Sequence, residues 1–169
     1  MTALSLGLFS SCISDEETAE SVLKEDLKQI DNFVQTTDIV PIRKMNVGNT
    51  GIVLLFTEEN AAGEAAAEGD SLLVNYTGYY LDGKVFDTSV EQVARDNNMY
   101  SSSNPYEPYP VKLGYTNVIS GWHYALAQMK EGDKTTALIP SIYAYGPRGQ
   151  GPIPPNSVLV FDLELVEVN

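Results

Sequence analysis

The feature that most constrains the fold is a series of short apolar segments ended by turn-forming residues, running through the chain beyond residue 50. The strand-like segments are 52–56, 71–80, 85–87, 111–113, 135–139 and 158–166. They are rich in β-branched and aromatic residues, and the Asp82-Gly83 pair is a hairpin signal. One internal stretch, 121–129, has helical periodicity, with Trp122, Leu126 and Met129 on one side, and the stretch 90–97 has the pattern of a short helix. This pattern predicts an α+β fold in which a curved antiparallel sheet wraps around one short helix.

An amphipathic helix is predicted ahead of these strands, from Thr18 to about residue 36. Its apolar residues recur every three or four positions: Val22, Leu23, Leu27, Ile30, Phe33 and Val34. Acidic residues at its start suit the positive end of the helix dipole, and Thr18 is a suitable cap. The apolar stripe packs either on the main domain or on a second copy of the chain. We therefore divide the chain into a tether at 1–17, a helical extension at 18–47 and a main domain at 48–169.

Composition excludes several classes of function. The net charge of -13 argues against binding to nucleic acid phosphates or to an anionic membrane surface through charge. The single cysteine, Cys12, rules out an intrachain disulfide and a cysteine-based metal site. The single histidine, His123, argues against a zinc site or a Ser-His-Asp triad. We expect neither a metal nor a cofactor.

Cys12 has a second interpretation, because an uncharged stretch rich in small residues and leucine precedes it. This arrangement resembles the end of a bacterial lipoprotein signal, in which the cysteine is cleaved and lipidated. The acidic tract at 14–17 resembles the one that follows the lipid cysteine in Bacteroidetes lipoproteins. The segment has no upstream Lys or Arg, and Phe9 replaces the usual aliphatic residue. We expect a lipid-tethered protein of the cell envelope; the alternative is a free thiol on a disordered tail.

Five short motifs place aromatic or branched apolar residues beside turn formers. They are Val-Asn-Tyr-Thr-Gly at 74–78, Val-Phe-Asp-Thr-Ser at 85–89, Val-Ile-Ser-Gly-Trp at 118–122, Tyr-Ala-Tyr-Gly at 143–146, and Ile-Pro-Pro at 153–155 followed by Val-Phe-Asp at 160–162. Each motif alone is typical of a hydrophobic core. In this order and spacing they resemble the FKBP-type peptidyl-prolyl isomerases over residues 48–168. The resemblance implies a sheet of five to six strands, with the pocket between sheet and helix.

The resemblance also implies roles for individual residues. The expected catalytic residues are Asp87, Tyr145, Phe86 and Trp122. The expected substrate-binding residues are Tyr76, Tyr109, Val118, Ile119, Ile153 and Phe161. In this interpretation Trp122 forms the floor beneath the proline ring, Tyr145 offers its hydroxyl to a substrate carbonyl, and Ile153 closes one rim. Asp87 is the single polar group of the wall.

Such a pocket is expected to accelerate rotation of X-Pro peptide bonds in exported proteins, a reaction that needs neither a nucleophile nor a metal. The alternative is a non-catalytic chaperone module that binds proline-containing segments in the same pocket. The expected partners are proline-containing polypeptides and rapamycin-like macrolides. A homodimer through the N-terminal helix is compatible with both hypotheses.

The sequence departs from the family pattern around residues 90–110, where it is longer than in the smallest members. This insertion falls where the family carries an Arg that pairs with the pocket Asp, and Arg95 is the only Arg nearby. Residues 101–110, rich in Ser, Pro and Tyr, are expected to form an exposed loop. The loop at 146–152 lacks the His found in well-studied members, so substrate preference at the rim is expected to differ.

Overall fold

The computed structural model describes residues 18–169. Cys12 and the acidic tract after it lie outside the described residues, so the lipoprotein hypothesis stays a prediction. The helices are α1 (Ala19–Thr36), α2 (Glu91–Asp96) and α3 (Ser120–Leu126). The strands are β1 (Arg43–Asn46), β2 (Val53–Glu58), β3 (Ser71–Tyr79), β4 (Val85–Thr88), β5 (Tyr109–Lys112), β6 (Lys134–Ile139) and β7 (Leu159–Val168). Two 3₁₀ turns, Ser141–Tyr143 and Gly146–Arg148, connect β6 to the segment before β7.

The strands form one antiparallel sheet in the order β1-β2-β6-β7-β3-β4, with β5 also paired to β3. The predicted fold class is confirmed, and the sheet of seven strands is larger than the five to six expected. The additional strand β1 has the sequence Arg-Lys-Met-Asn, which shows no run of β-formers. It is a strand because its backbone pairs with β2 at the edge of the sheet.

The insertion contains more regular structure than an exposed loop. The short helix α2 forms at its start, and Tyr109 and Pro110 belong to β5 instead of the loop expected over 101–110. Pro110 is tolerated because β5 is a short strand outside the main strand path, where a missing N–H does not interrupt the ladder. The expectation of an exposed loop is therefore wrong at residues 109 and 110.

Apolar side chains pack on both faces of the sheet. On one face α3 contributes Trp122, Ala125 and Leu126 to the main core, which β3, β6 and β7 complete. On the opposite face Ile30 of α1 packs against side chains from β2, β6 and β7. Since α1 covers one face of β2 and the main core covers the other, the strand is apolar without alternation.

The helix α1 therefore packs on the sheet of its own chain. The Thr18 side chain accepts a hydrogen bond from the Ser21 backbone N–H at 3.1 Å, which caps the helix as expected. The buried carboxylate of Asp26 accepts hydrogen bonds from the Ser141 backbone N–H at 2.8 Å and hydroxyl at 2.7 Å. This contact joins α1 to the 3₁₀ turn that precedes Tyr145.

Candidate active site

A cavity of about 200 Å³ opens between α3 and the sheet face that it covers. Its lining is aromatic and aliphatic, with one ionised side chain. The lining residues are Tyr76, Phe86, Asp87, Tyr109, Asn117, Val118, Ile119, Trp122, Tyr145 and Phe161. The fold thus brings residues from β3, β4, β5, β7, the α3 start and the loop before β7 into one pocket. Every predicted site residue within the described chain lines this cavity except Ile153.

Trp122 lies at the centre of the aromatic lining and is 5% exposed. Its ring packs edge-on against Tyr76 at 5.1 Å and against Phe161 at 5.4 Å between centroids. Phe86 packs edge-on against Phe161 at 5.6 Å. Such edge-to-face pairs contribute about 0.5–1.5 kcal/mol each beyond the burial of their area. The aromatic walls therefore stabilise one another without a bound ligand.

Gly78 explains how the aromatic walls approach the β3 backbone. A Cβ atom at this position would lie 2.6 Å from the Phe86 ring and 2.7 Å from the Phe161 ring. Both distances are far below van der Waals contact, so a larger residue would displace the rings. The glycine of the Tyr-Thr-Gly motif is thus required by the pocket.

Asp87 is held by a tyrosine and a backbone amide. The Tyr76 hydroxyl donates to Asp87 Oδ2 at 2.9 Å, and the Thr88 backbone N–H donates to Oδ1 at 2.9 Å. Arg95 instead pairs with Glu91 across one turn of α2 and stacks over the Tyr100 ring. Over residues 18–169, no Lys or Arg forms an ion pair with Asp87. The side chain that bonds Asp87 is therefore Tyr76, and Arg95 is not the arginine partner expected from the family.

Two of the three tyrosines that line the pocket, Tyr76 and Tyr145, have a pKa above the ordinary value. Burial, reinforced by the Asp87 charge and the hydrogen bond to it, raises the pKa of Tyr76. Burial first and the Asp87 charge second also raise the pKa of Tyr145. The Tyr145 side chain is 37% exposed, and its hydroxyl has no hydrogen-bond partner among the described residues. Tyr145 thus presents a free O–H donor to the pocket.

Ile153 lies elsewhere than expected. It is 7% exposed and packs in the main core, outside the set of residues that line the cavity. The backbone of Gln150 and Ile153 exchanges two hydrogen bonds of 2.9 Å, which closes a tight turn and directs Ile153 inward. Ile153 is therefore a core residue and does not close the rim of the pocket.

Sequence reasoning missed two residues beside the pocket. Asn117 lines it directly, just before Val118. His123, to which the sequence assigned no site role, accepts a hydrogen bond at Nδ1 from the Gly114 N–H at 3.1 Å. Its Nε2 then carries the proton and donates to the Thr116 carbonyl at 3.0 Å. His123 thereby fixes the loop that leads into Val118 and Ile119, a role for which the sequence contains no signal.

A larger cavity, of about 470 Å³, opens on the opposite face of the sheet. Its polar side chains mostly bond one another: Asp162 accepts from the hydroxyls of Tyr79 and Thr136, and Glu164 accepts from Asn75. These polar groups satisfy one another's hydrogen bonds, and the walls of this cavity are less aromatic than those of the first pocket. We therefore assign the candidate active site to the cavity above Trp122.

Comparison with known proteins decides the family. Residues 62–166, more than half of the chain, match the sequence model described as FKBP-type peptidyl-prolyl cis-trans isomerase. The chain belongs to this family. It is a peptidyl-prolyl cis-trans isomerase of the FKBP type, as the sequence motifs predicted.

Individual relatives of this FKBP-type chain include fungal and bacterial proteins. FK506-binding protein 1 of Saccharomyces cerevisiae is 40% identical over 102 residues, which is 60% of this chain and 78% of the yeast protein. The isomerase FkpA of Escherichia coli is 37% identical over 124 residues, covering 73% of this chain and 40% of FkpA. The chain thus spans less than half the length of FkpA.

Solved structures of the family share the fold. The crystal structure of Escherichia coli FkpA superposes with a TM-score of 0.64 and 33% identity, over 89% of this chain and 62% of that one. A peptidyl-prolyl isomerase of Pseudomonas syringae pv. tomato gives a TM-score of 0.65 and 27% identity, over 92% of this chain and 99% of that one. From Thr18 onward, no helix has the length and apolarity needed to cross a membrane. The same residues contain no cluster of three or more metal-ligating side chains.

Proposed function

We propose that the cavity above Trp122 is the site at which this FKBP-type isomerase accelerates rotation of X-Pro bonds in exported proteins. The observation that carries the proposal is the lining of this cavity, in which an aromatic wall surrounds the Asp87 carboxylate and the unbonded hydroxyl of Tyr145. Trp122 lies beneath the proline ring, and Tyr76, Phe86 and Phe161 form the walls. Tyr109, Val118 and Ile119 contact the substrate chain beside it.

Desolvation provides the main catalytic effect. The barrier to rotation is about 18–20 kcal/mol because amide resonance is lost when the bond twists. The twisted amide is less charge-separated than the planar one. A low-dielectric pocket therefore stabilises the twisted state relative to the planar substrate, which is differential binding of the transition state.

The two polar groups orient the substrate. Tyr145 donates a hydrogen bond to one carbonyl, which is held in place while the amide turns. Asp87 interacts electrostatically with the rotating carbonyl and its surroundings, and it does not act as a general base. A single hydrogen bond contributes about 1 kcal/mol net. Shape and desolvation must therefore supply most of the lowering of the barrier.

A protease-coupled assay on an Xaa-Pro peptide tests the site. Wild type should accelerate isomerisation. Asp87→Ala should reduce kcat/KM by at least tenfold, and Tyr145→Phe by about fivefold, the factor that corresponds to one hydrogen bond of about 1 kcal/mol. As a control, Tyr124→Phe changes an exposed tyrosine of α3 that lies outside the cavity lining. It should retain full activity.

The second hypothesis is a chaperone module that binds without turning over. It would be favoured if wild type bound the peptide or a rapamycin-like macrolide in this cavity yet gave no acceleration. Macrolide binding itself is expected to require Trp122, because the aromatic floor provides the apolar contact. Competition between macrolide and peptide would place both in the same cavity.

We further propose that Cys12 carries a lipid that tethers the domain to the cell envelope. The support is the uncharged segment before Cys12 and the acidic tract after it. Metabolic labelling with a fatty acid should mark wild type but not Cys12→Ala. Equal labelling of both proteins would reject the tether and leave the isomerase proposal intact.

A homodimer through α1 is a separate proposal. Since Ile30 of α1 is buried against its own sheet, a second copy would have to use the exposed remainder of the helix, including Leu27. Sedimentation of the protein with and without residues 18–46 measures whether the chain dimerises and whether the dimer needs α1. A monomeric full chain would reject the dimer.

A further inference from the structure

The insertion between β4 and β5 forms the outer wall of a groove that continues the pocket. The groove has a volume of about 370 Å³ and shares Tyr76, Asp87 and Tyr109 with the cavity above Trp122. Its inner side is the end of β4, and its outer side is the stretch 104–110. A polypeptide seated over Trp122 therefore has a continuous path along the insertion.

The outer wall is held in place by its own contacts. The Arg95 guanidinium is anchored by Glu91 and lies 3.5 Å from the centre of the Tyr100 ring. Tyr100 stacks on Tyr106 at 5.6 Å with an interplanar angle of 13°. The Tyr106 hydroxyl in turn accepts a hydrogen bond of 2.8 Å from the Ser101 backbone N–H. This chain of contacts connects α2 to the wall and fixes its shape.

The surface of the groove suits an extended peptide. Pro105, Pro108 and Pro110 line it, and each proline ring fixes the backbone and so lowers the entropy lost on binding. The hydroxyls of Thr88 and Ser89 already bond within the β3–β4 pair. The groove consequently offers rigid apolar contacts more than free hydrogen-bonding groups.

The charged side chains that line the groove are all acidic. Its ionised side chains are Asp87 and Glu107, and no Lys or Arg lines it. Asp87 is already held by the Tyr76 hydroxyl, whereas Glu107 is exposed on the outer wall and has no hydrogen-bond or ion-pair partner among residues 18–169. Glu107 is therefore the carboxylate that is free to meet a positive charge on a bound chain.

We propose that this groove binds the substrate residues that flank the proline and that Glu107 selects a Lys or Arg among them. The inference rests on the proposed function, because the groove is reached through the same pocket. It gives the insertion a role as a specificity element. The preferred clients are proline-containing segments with a basic residue within a few positions of the proline.

The experiment compares peptides that differ only in one flanking residue. A set of Xaa-Pro peptides carries Lys or Gln at each position from three before to three after the proline. Wild type should turn over the Lys peptide with a kcat/KM about two- to fivefold higher than the Gln peptide at one or more positions, as expected for one exposed charge pair. Raising the salt to about 0.5 M should abolish the difference by screening.

Two substitutions assign the preference to Glu107. Glu107→Gln should bring the Lys-to-Gln ratio to about one, and Glu107→Lys should bring it below one. Asp38→Asn is the matched control, because it removes one exposed acid from the linker between α1 and β1. It should keep the wild-type ratio and activity, which separates Glu107 from the attraction of a basic peptide to the whole acidic chain.

The outcomes also separate this inference from the proposed function. The inference is overturned if every peptide is accelerated without a Lys preference, or if Glu107→Gln leaves the preference unchanged. Either result retains the isomerase site. Failure to accelerate any peptide overturns the proposed catalytic site. Fluorescence anisotropy of the labelled Lys and Gln peptides then tests binding in the groove without turnover. The Kd of the Gln peptide should exceed that of the Lys peptide by the same factor, and the difference should disappear in Glu107→Gln.

Discussion

At the scale of single residues, the pocket depends on the absence of a side chain at Gly78 as much as on the aromatic rings around it. The Phe86 and Phe161 rings occupy the space that a Cβ at this position would fill. Packing therefore explains the glycine of the Tyr-Thr-Gly motif. With no Cβ at this position of β3, the two aromatic walls of the pocket can approach the strand backbone.

Gly78→Ala should damage both the fold and the pocket. Overpacking of this kind costs about 1–3 kcal/mol of the free energy of unfolding, and the displaced rings should lower kcat/KM severalfold. Urea denaturation and the peptide assay measure the two effects. Gly83→Ala is the control: its Cβ would meet nothing within 4 Å, but its φ of +85° makes any side chain strained. It should lose stability and keep kcat/KM, whereas a parallel loss of activity would show that instability alone explains Gly78→Ala.

Tyr76 and Asp87 form a hydrogen-bonded pair whose role can be tested by substitution. Tyr76→Phe should lower kcat/KM about fivefold, which corresponds to about 1 kcal/mol, because Asp87 loses the donor that orients it. In an Asp87→Asn background the same change should have a much smaller effect, since the two side chains act together. Tyr124→Phe serves for comparison, as this exposed tyrosine lies outside the cavity lining and its hydroxyl makes no hydrogen bond with the described residues. An equal loss in both tyrosine variants would contradict the orienting role.

At the scale of elements, α1 braces the turn that carries the active site. Asp26 bonds Ser141 at the start of the first 3₁₀ turn. At the end of that turn the Tyr143 carbonyl accepts a hydrogen bond of 3.3 Å from the Ser120 hydroxyl, at the start of α3. The helix that lies outside the family match thus contacts the segment between α3 and Tyr145.

Asp26→Ala should lower the free energy of unfolding by about 1–3 kcal/mol, because it leaves the buried N–H of Ser141 without an acceptor. It should also reduce kcat/KM while the protein is still folded, since the turn before Tyr145 is loosened. Asp31→Ala, which removes an exposed acid of the same helix, should change neither quantity. Full activity in folded Asp26→Ala would show that α1 contributes stability alone.

The pH dependence of Asp26→Asn provides a separate check. Burial raises the pKa of Asp26 above its ordinary value. The folded state thus retains this proton at pH values where the unfolded chain has released it. Stability from this group is greatest at low pH and falls as pH rises through the raised pKa. Asp26→Asn, which cannot ionise, should lack that fall in urea denaturation, and an unchanged profile would contradict the assignment.

At the scale of the whole molecule, two partly buried tyrosines, Tyr76 and Tyr79, are expected to make stability depend on alkaline pH. Burial raises the pKa of Tyr79, with the Asp162 charge as the next cause, and burial likewise raises that of Tyr76. Above pH 10 the unfolded chain releases these protons before the folded one does. The contribution of these two tyrosines to the free energy of unfolding should therefore fall as pH rises beyond about 10.

Tyr79→Phe should make this alkaline fall shallower, even though it also removes the hydrogen bond to Asp162. Urea denaturation at intervals from pH 8 to 11 measures the slope. Tyr115→Phe is the matched control, since its side chain is 68% exposed. A slope identical in Tyr79→Phe and wild type would contradict the role of Tyr79.

Much of the fold follows from local pattern. The periodic residues of α1 and α3 predict those helices because helical spacing is a property of the chain itself. The apolar runs predict β2, β3, β6 and β7 for the same reason. β1 has no such run, and only its pairing with β2 makes it a strand. The order and spacing of the motifs also predicted the residues that line the pocket.

The sequence alone determined the family, the fold class and most of the pocket lining, because these depend on residue types and their order. Only the tertiary structure decided which groups meet. Tyr76 bonds Asp87 because β3 and β4 pair with Gly78 opposite Asp87. Ile153 turns into the core, His123 fixes the loop before Val118, and the insertion becomes the wall of a groove. Each of these contacts joins residues that no local period relates, so they exist only once the sheet register and the loop packing are set.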